Sequence, residues 1–348
     1  MSLEIIEQLP ALLLPWYRAC RRNLPWRKDR DPYHVWISEI MLQQTRVEAV
    51  KGYYARFLEI LPALEALAAA DDELLAKLWE GLGYYTRVRN LKKAAQVIVE
   101  KYGGDFPQSY KAVLDLPGIG PYTAGAICSI CFDQPVPAVD GNVLRLIARL
   151  MDDHRYVDDP GVRKEYTELL AAVYPQDAGD FTQALMELGA TICGPNAAPA
   201  CESCPCREVC LGYRNQTAAD LPVKRPKKQR RTEEKTVLIL RCEDRYAICK
   251  RPEKGLLAGL WQFPDLEEKW AVERVMEELE KMGIHPKEVI KLLERSHIFT
   301  HITWEMRGIY LEVKNTGGEG LQWLDAASID AQIALPTAYR QFWEERNV

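Results

Sequence analysis

The run LPVKRPKKQRRTEEK, residues 221–235, divides the chain into two stretches whose hydrophobic patterns have different periods. Before it, apolar residues recur at helical spacing, in PYHVWISEIMLQQTRVEAVKGYYARFLEIL and in DELLAKLWEGLGYYTRVRNLKKAAQVIVEKYG, where Gly103-Gly104 supplies a stop. GNVLRLIARLM and DFTQALMELGATIC read as further helices. After it, TVLILR, RYAICK, MRGIYLEV and GLQWL are short β-like runs beside one amphipathic helix, EEKWAVERVMEELEKMG. A chain of 348 residues is also long for one hydrophobic core. The expectation is a multidomain protein: an all-α domain over 1–220, a basic linker over 221–235 and an α+β domain over 236–348. Lys224, Arg225, Lys227, Lys228, Arg230 and Arg231 make the linker a solvated tether or a segment lying along a phosphate backbone.

Net charge is −5, and the acidic excess falls on residues 232–348 while the first 231 residues balance. Nucleic-acid binding by the helical part therefore needs local basic patches. No apolar run approaches the ~20 residues a membrane helix requires. The opening MSLEIIEQLPALLLPWYRACRR places acid before a short apolar run, unlike a secretion signal. A cytoplasmic protein with no membrane partner is expected. In that compartment ten cysteines point to metal more than to disulfides, and five of them fall between 193 and 210.

LPGIGPYTAGAI, residues 116–127, pairs a two-glycine turn with an apolar helix start. Gly118 and Gly120 allow backbone N–H groups to approach an anion, and the helix dipole favours one DNA phosphate there. Asp140 precedes the apolar helix GNVLRL; alone it reads as a helix N-cap. Glu39, in VWISEIMLQQTR, shares a helical face with Val35, Trp36, Leu42 and Gln43. A carboxylate among large apolar residues is paired or neutral, and burial moves its pKa toward that of a general acid. Cys193, Cys201, Cys204 and Cys210 are spaced C-x7-C-x2-C-x5-C, with Cys206 an extra thiol inside the loop. Four thiolates suit zinc or an iron–sulfur cluster.

Together LPGIGPYTA, PVPAVDGNVLRL, SEIMLQQTRVE and C-x2-C-x5-C resemble the endonuclease III-like helix-hairpin-helix DNA glycosylases, and within them the MutY-type adenine branch. The likeness is close from Leu24 to Cys210 and looser from Arg251 to Trp304. It implies a [4Fe–4S] cluster on Cys193, Cys201, Cys204 and Cys210, although the first gap is one residue longer than usual. It implies that Glu39 protonates the adenine and that Asp140, with Tyr122 and Asn142, stabilises positive charge on the sugar. Trp26, Arg27 and Gln183 would line the adenine pocket, though FTQ stands where FNQ is usual. Gln44, Thr45, Leu82 and Tyr84, with Gly118 and Gly120, would contact the duplex, with Gln44, Leu82 and Tyr84 as wedges. Glycosylases that also cut the strand carry Lys where this chain has Tyr122, and a phenol cannot form their Schiff base.

RPEKGLLAGLWQFP, residues 251–264, resembles the Nudix-like C-terminal domain of that branch. Its hydrolase signature is damaged: Asp265 and Glu273-Arg274 replace the Glu and Arg-Glu of a working box, although Glu277-Glu278 remain. Phe299-Thr300-His301 stands where the family reads 8-oxoguanine opposite the adenine. The resemblance thus implies a monomeric bacterial repair enzyme, acting at the nucleoid on double-stranded DNA with adenine opposite 8-oxoguanine or guanine. The alternatives are a bifunctional endonuclease III-type glycosylase/lyase, a nucleotide pyrophosphohydrolase and a non-enzymatic iron–sulfur DNA sensor.

Overall fold

The computed structural model describes residues 2–195, 198–226 and 229–346. They form two compact units, Met1–Ala69 with Asn90–Pro226, and Ala70–Arg89 with Lys227–Val348. This division cuts across the contiguous one expected from the sequence, because the segment 70–89 packs with the C-terminal residues.

The first unit is helical. Its main elements are α1 (Leu9–Cys20), α2 (Pro32–Leu42), α3 (Val47–Ile60), α4 (Tyr110–Leu114), α5 (Pro121–Phe132), α6 (Gly141–Met151), α7 (Pro160–Val173) and α8 (Ala178–Thr191). Local chemistry sets their starts. Asp31 accepts a hydrogen bond from the Tyr33 amide and Pro32 occupies the first turn of α2, where a missing N–H costs nothing. Pro121 does the same for α5, and Asp133 closes that helix in a left-handed conformation. The core is threaded by α6, whose apolar residues join Leu13, Tyr17, Tyr166, Phe181 and Leu185 in one cluster. Two arginines are buried in α6, and each is satisfied by carbonyls: Arg145 donates to Cys193 and Gly189, and Arg149 to Leu221 and Gly194.

The second unit holds a mixed sheet of β1 (Arg231–Cys242), β2 (Arg245–Lys250), β3 (Trp261–Gln262), β4 (Asp265–Glu267), β5 (Pro286–Ile298), β6 (Ile302–Val313) and β7 (Gln322–Asp325). The order is β3-β2-β1-β6-β5, with β4 on β1 and β7 on β2; β1 runs parallel to β6 from Arg231↔Ile302 to Arg241↔Glu312. One face is covered by α9 (Val272–Lys281) and the other by α10 (Thr337–Trp343), whose Tyr339, Phe342 and Trp343 are buried. The 70–89 segment is tied in by polar contacts: Trp261 Nε1 donates to Glu73 at 2.8 Å, Lys77 Nζ to the Ile333 carbonyl at 2.9 Å, and Arg340 pairs with Glu80.

The linker is shorter than the sequence suggests. Arg231 already lies in β1, where it begins the parallel ladder. Arg225 is not a free solvated charge: it pairs with Asp159 at 2.6 Å and lies over the Tyr156 ring. Lys227 and Lys228 lie outside the described residues.

Candidate active site

The first unit opens into a cavity of about 750 Å³ lined by Trp26, Arg27, Glu39, Gln44, Thr45, Tyr122, Asp140, Asn142 and Gln183, among others. Residues more than a hundred positions apart in the sequence, expected to work together, thus share one space. Glu39 sits on α2, only 6% exposed, and shares the cavity lining with Val35, Ser38 and Leu42 of the same helix. The hydroxyl of Tyr122, at the start of α5, donates to Glu39 Oε2 at 2.7 Å. Burial pushes the Glu39 carboxyl up to about 7; the Tyr122 hydrogen bond and Arg27 pull it down, while Asp140 adds to the rise. Burial also raises the Tyr122 phenol well above its ordinary range, so it remains a neutral donor.

Asp140 is both an N-cap and a lining residue. One carboxylate oxygen accepts from the Asn142 and Val143 amides, both at 2.9 Å, and the other from Asn142 Nδ2 at 2.8 Å. Burial raises this carboxyl, and those donors at a helix N-terminus oppose the rise. Asn142 is fixed in turn by Arg145, whose Nη2 donates to Asn142 Oδ1 at 2.8 Å.

The remaining expected residues take distinct places. Trp26 is buried edge-on to Tyr54 at 5.5 Å. Gln44 follows α2 with a positive φ of 62° and is exposed; Thr45 beside it is half-buried. Gly118 has φ 76°, and a Cβ there would lie 2.5 Å from the Asn90 side chain. Gly120 caps α5, and a Cβ there would meet nothing within 4 Å. The hairpin therefore needs glycine at 118 for its own packing, while the space before α5 is clear.

Leu82 and Tyr84 belong to the second unit. Leu82 is buried, whereas Tyr84 is 50% exposed with φ 48°. The Tyr84 and Thr300 hydroxyls lie 3.0 Å apart. Phe299 is anchored edge-on against Trp304 at 4.8 Å, and its amide donates to the Ile302 carbonyl, so Thr300 and His301 stand exposed at the tip of the β5–β6 hairpin.

Sequence reasoning missed Glu187. It is 1% exposed, lines the cavity and accepts from Arg22 at 2.6 and 2.9 Å and from Arg27 at 2.8 Å. Two guanidiniums hold its carboxyl below the usual range against the cost of burial. It lies four residues after Gln183, on the same face of α8, which is the signal that could have exposed it.

Cys193, Cys201, Cys204 and Cys210 line a second small cavity, closed on one side by Arg149, whose Nη1 donates to Cys193 Sγ at 3.3 Å. Cys206 is wholly buried and does not line it. Among the described residues no three His, Cys, Asp or Glu side chains converge as the ligands of a single ion would.

Residues 37–171 match the HhH-GPD superfamily base excision DNA repair protein, and residues 236–345 match the NUDIX domain. The adenine DNA glycosylase of Buchnera aphidicola (Schizaphis graminum) is 32% identical over 92% of this chain and 96% of its own length. The chain belongs to the adenine DNA glycosylase family. It is a monofunctional hydrolase of N-glycosidic bonds that acts in base excision repair. The adenine DNA glycosylase of Arabidopsis thaliana is 37% identical over 88% of this chain, which spans 57% of the plant protein. A thermostable thymine-DNA glycosylase structure, 32% identical, superposes with a TM-score of 0.54 over 61% of this chain and 98% of its own.

In the NUDIX half, α9 carries Glu273, Glu277 and Glu278, all at or near the surface, and among the described residues they form no metal-holding group. Asp265 is instead turned inward to Tyr339 and Lys235. No helix among the described residues is long and apolar enough to cross a membrane.

Proposed function

We propose that the protein removes adenine paired with 8-oxoguanine or guanine in duplex DNA. The observation that carries the chemical part is a buried Glu39, pushed up to about 7, in the cavity it shares with Asp140. Reaching a base from this cavity requires that the adenine be turned out of the stack. Glu39, protonated near neutral pH, gives its proton to adenine N7 as the C–N bond breaks. Tyr122 holds the carboxyl in place. Asp140, whose three donors favour the carboxylate against the burial that raises it, faces the positive charge that grows on the sugar, and Asn142 keeps it oriented. Water then completes hydrolysis with Glu39 as base. Trp26, Arg27 and Gln183 bound the base, the clear space before α5 at Gly120, opened by the turn at Gly118, takes a phosphate, and Gln44, Thr45 and Tyr84 touch the duplex. The protein works as a monomer in a bacterial cytoplasm, on nucleoid DNA.

We assign the four lining thiols to a [4Fe–4S] cluster. A single zinc draws four sulfurs to about 2.3 Å from one point, whereas a cluster spreads its thiolates over separate irons. Cys193, Cys201, Cys204 and Cys210 around a common cavity are thiols that either would take, and the iron content separates the two. When bound, the cluster supplies iron–thiolate bonds that cross-link the 193–210 loop. Cys206→Ser should leave the iron content unchanged, and the purified protein should hold about four irons per chain.

The test of the main reading is free adenine released from a duplex with adenine opposite 8-oxoguanine, with an adenine–thymine duplex as the control. Release from neither duplex overturns it. Recognition of the opposite base is assigned to Thr300 and His301. Removing both should lower the preference for 8-oxoguanine over guanine about tenfold, the worth of one lost hydrogen bond.

A further inference from the structure

Outside the lining of the catalytic cavity lies a file of hydroxyls that the proposed chemistry does not use. Ser129 Oγ lies 2.7 Å from the Gly125 carbonyl, which can only accept, so Ser129 donates there. Thr182 Oγ1 donates to Ser129 Oγ at 2.7 Å. Its oxygen is then left to accept from the Tyr174 hydroxyl at 2.5 Å. Each hydroxyl has one proton, so the file runs in one direction, from Tyr174 through Thr182 and Ser129 to Gly125. At its head the Ala138 amide faces the Tyr174 oxygen. Thr182 is 1% exposed and Ser129 0%.

The file joins three pieces of backbone that already touch. A Cβ on Gly125 would lie 2.3 Å from the Pro137 carbonyl, so α5 rests on the loop before Asp140. A Cβ on Gly179 would lie 3.0 Å from the Ser129 carbonyl, so α8 rests on α5. Gly125 is three residues from Tyr122 on the same helix, and Ala138 is two residues before Asp140. Close-packed backbones resist compression but not sliding; directional hydrogen bonds resist sliding.

We propose that the Thr182 hydroxyl is a positioning group, which fixes α5, and with it Tyr122, in register with the loop that presents Asp140. Thr182 touches neither base nor sugar and acts only through those two residues. The proposal rests on the reading of Tyr122 and Asp140 as catalytic groups.

The experiment measures single-turnover adenine release with enzyme in excess, beside affinity for a duplex whose adenosine has a non-hydrolysable glycosidic bond. Thr182→Val keeps the shape and removes the hydroxyl. It should slow release about tenfold, as expected when a group is misplaced far from the chemistry. Affinity should change less than about threefold, and Thr182→Ser should recover most of the rate. Tyr174→Phe keeps the ring, which packs edge-on to Phe181 at 5.0 Å, and should slow release in the same way. It decides alone if the valine variant does not fold. Both variants releasing adenine at the wild-type rate, or serine as slow as valine, overturns the proposal. A wild type that releases no adenine overturns the functional reading instead.

Discussion

Each unit sets a carboxylate against a tyrosine hydroxyl, yet the two pairs are built for different ends. In the first unit Tyr122 donates to Glu39 at 2.7 Å, no cation among the described residues is bonded to the carboxyl, and the pair faces a large cavity. In the second unit Tyr339 donates to Asp265 at 2.8 Å, but Lys235 lies 3.2 Å and Arg251 3.6 Å from the same carboxylate. Gln262 Nε2 also donates to Asp265, at 3.0 Å, and both cations lie over the Trp304 ring. The second pair is a neutralised piece of core. The first is left without a bonded cation, and burial drives its proton affinity to the range where a proton can be given away. The tyrosine is common to both, so the cations decide which carboxylate is chemistry and which is structure.

The largest difference should appear when each carboxyl is neutralised. Glu39→Gln removes the proton donor and should slow adenine release by about 10²–10⁴-fold while leaving affinity for the duplex nearly intact. Asp265→Asn leaves Lys235 and Arg251 facing each other without an anion. It should destabilise the second unit by about 3–5 kcal/mol in denaturant unfolding, with the bound-complex release rate unchanged.

A smaller effect concerns stability and pH. The Glu39 carboxyl is raised in the fold, so the folded chain holds its proton more tightly than the unfolded chain. Its contribution is full below the unfolded value of 4.5 and is lost as pH rises through about 7. Glu39→Gln has no such loss and should be the more stable form at pH 8, by at most about 3 kcal/mol. Equal stability of the two at pH 8 would mean that the carboxyl is solvated.

The sharpest manipulation converts the first pair toward the second. Met186 Sδ lies 3.9 Å from the Tyr122 hydroxyl. Met186→Lys brings a cation beside Glu39 and should lower the midpoint of the pH–rate profile by about one to three units. An unmoved midpoint would mean that cations do not separate the two sites.

Much of the first pair was legible in the sequence, because the spacing of Val35, Trp36 and Glu39 along one helix already implies a buried acid. GNVLRLIARLM likewise coincides with α6. The break after Leu42 was not legible: QQTR carries neither Gly nor Pro, and the chain turns through a positive φ at Gln44. β5 was missed because an edge strand with two register shifts and partly exposed faces loses the alternation that marks a strand. The segment 70–89 reads as one more helix of the first unit. Its place in the second depends on partners such as Trp261 and Ile333, more than 180 residues away. The i+4 spacing from Gln183 marks the face that Glu187 shares, but not the arginines from residues 22 and 27 that clamp it, which are contacts between distant residues.

Adenine release turns on the state of one proton, and the pH dependence of the single-turnover rate reads it directly. With wild-type enzyme in excess over an adenine–8-oxoguanine duplex, the rate should fall as pH rises, along a limb centred on about 7 that is absent from the residual activity of Glu39→Gln. A wild-type rate that is level through neutral pH, or a limb that survives in Glu39→Gln, would contradict it.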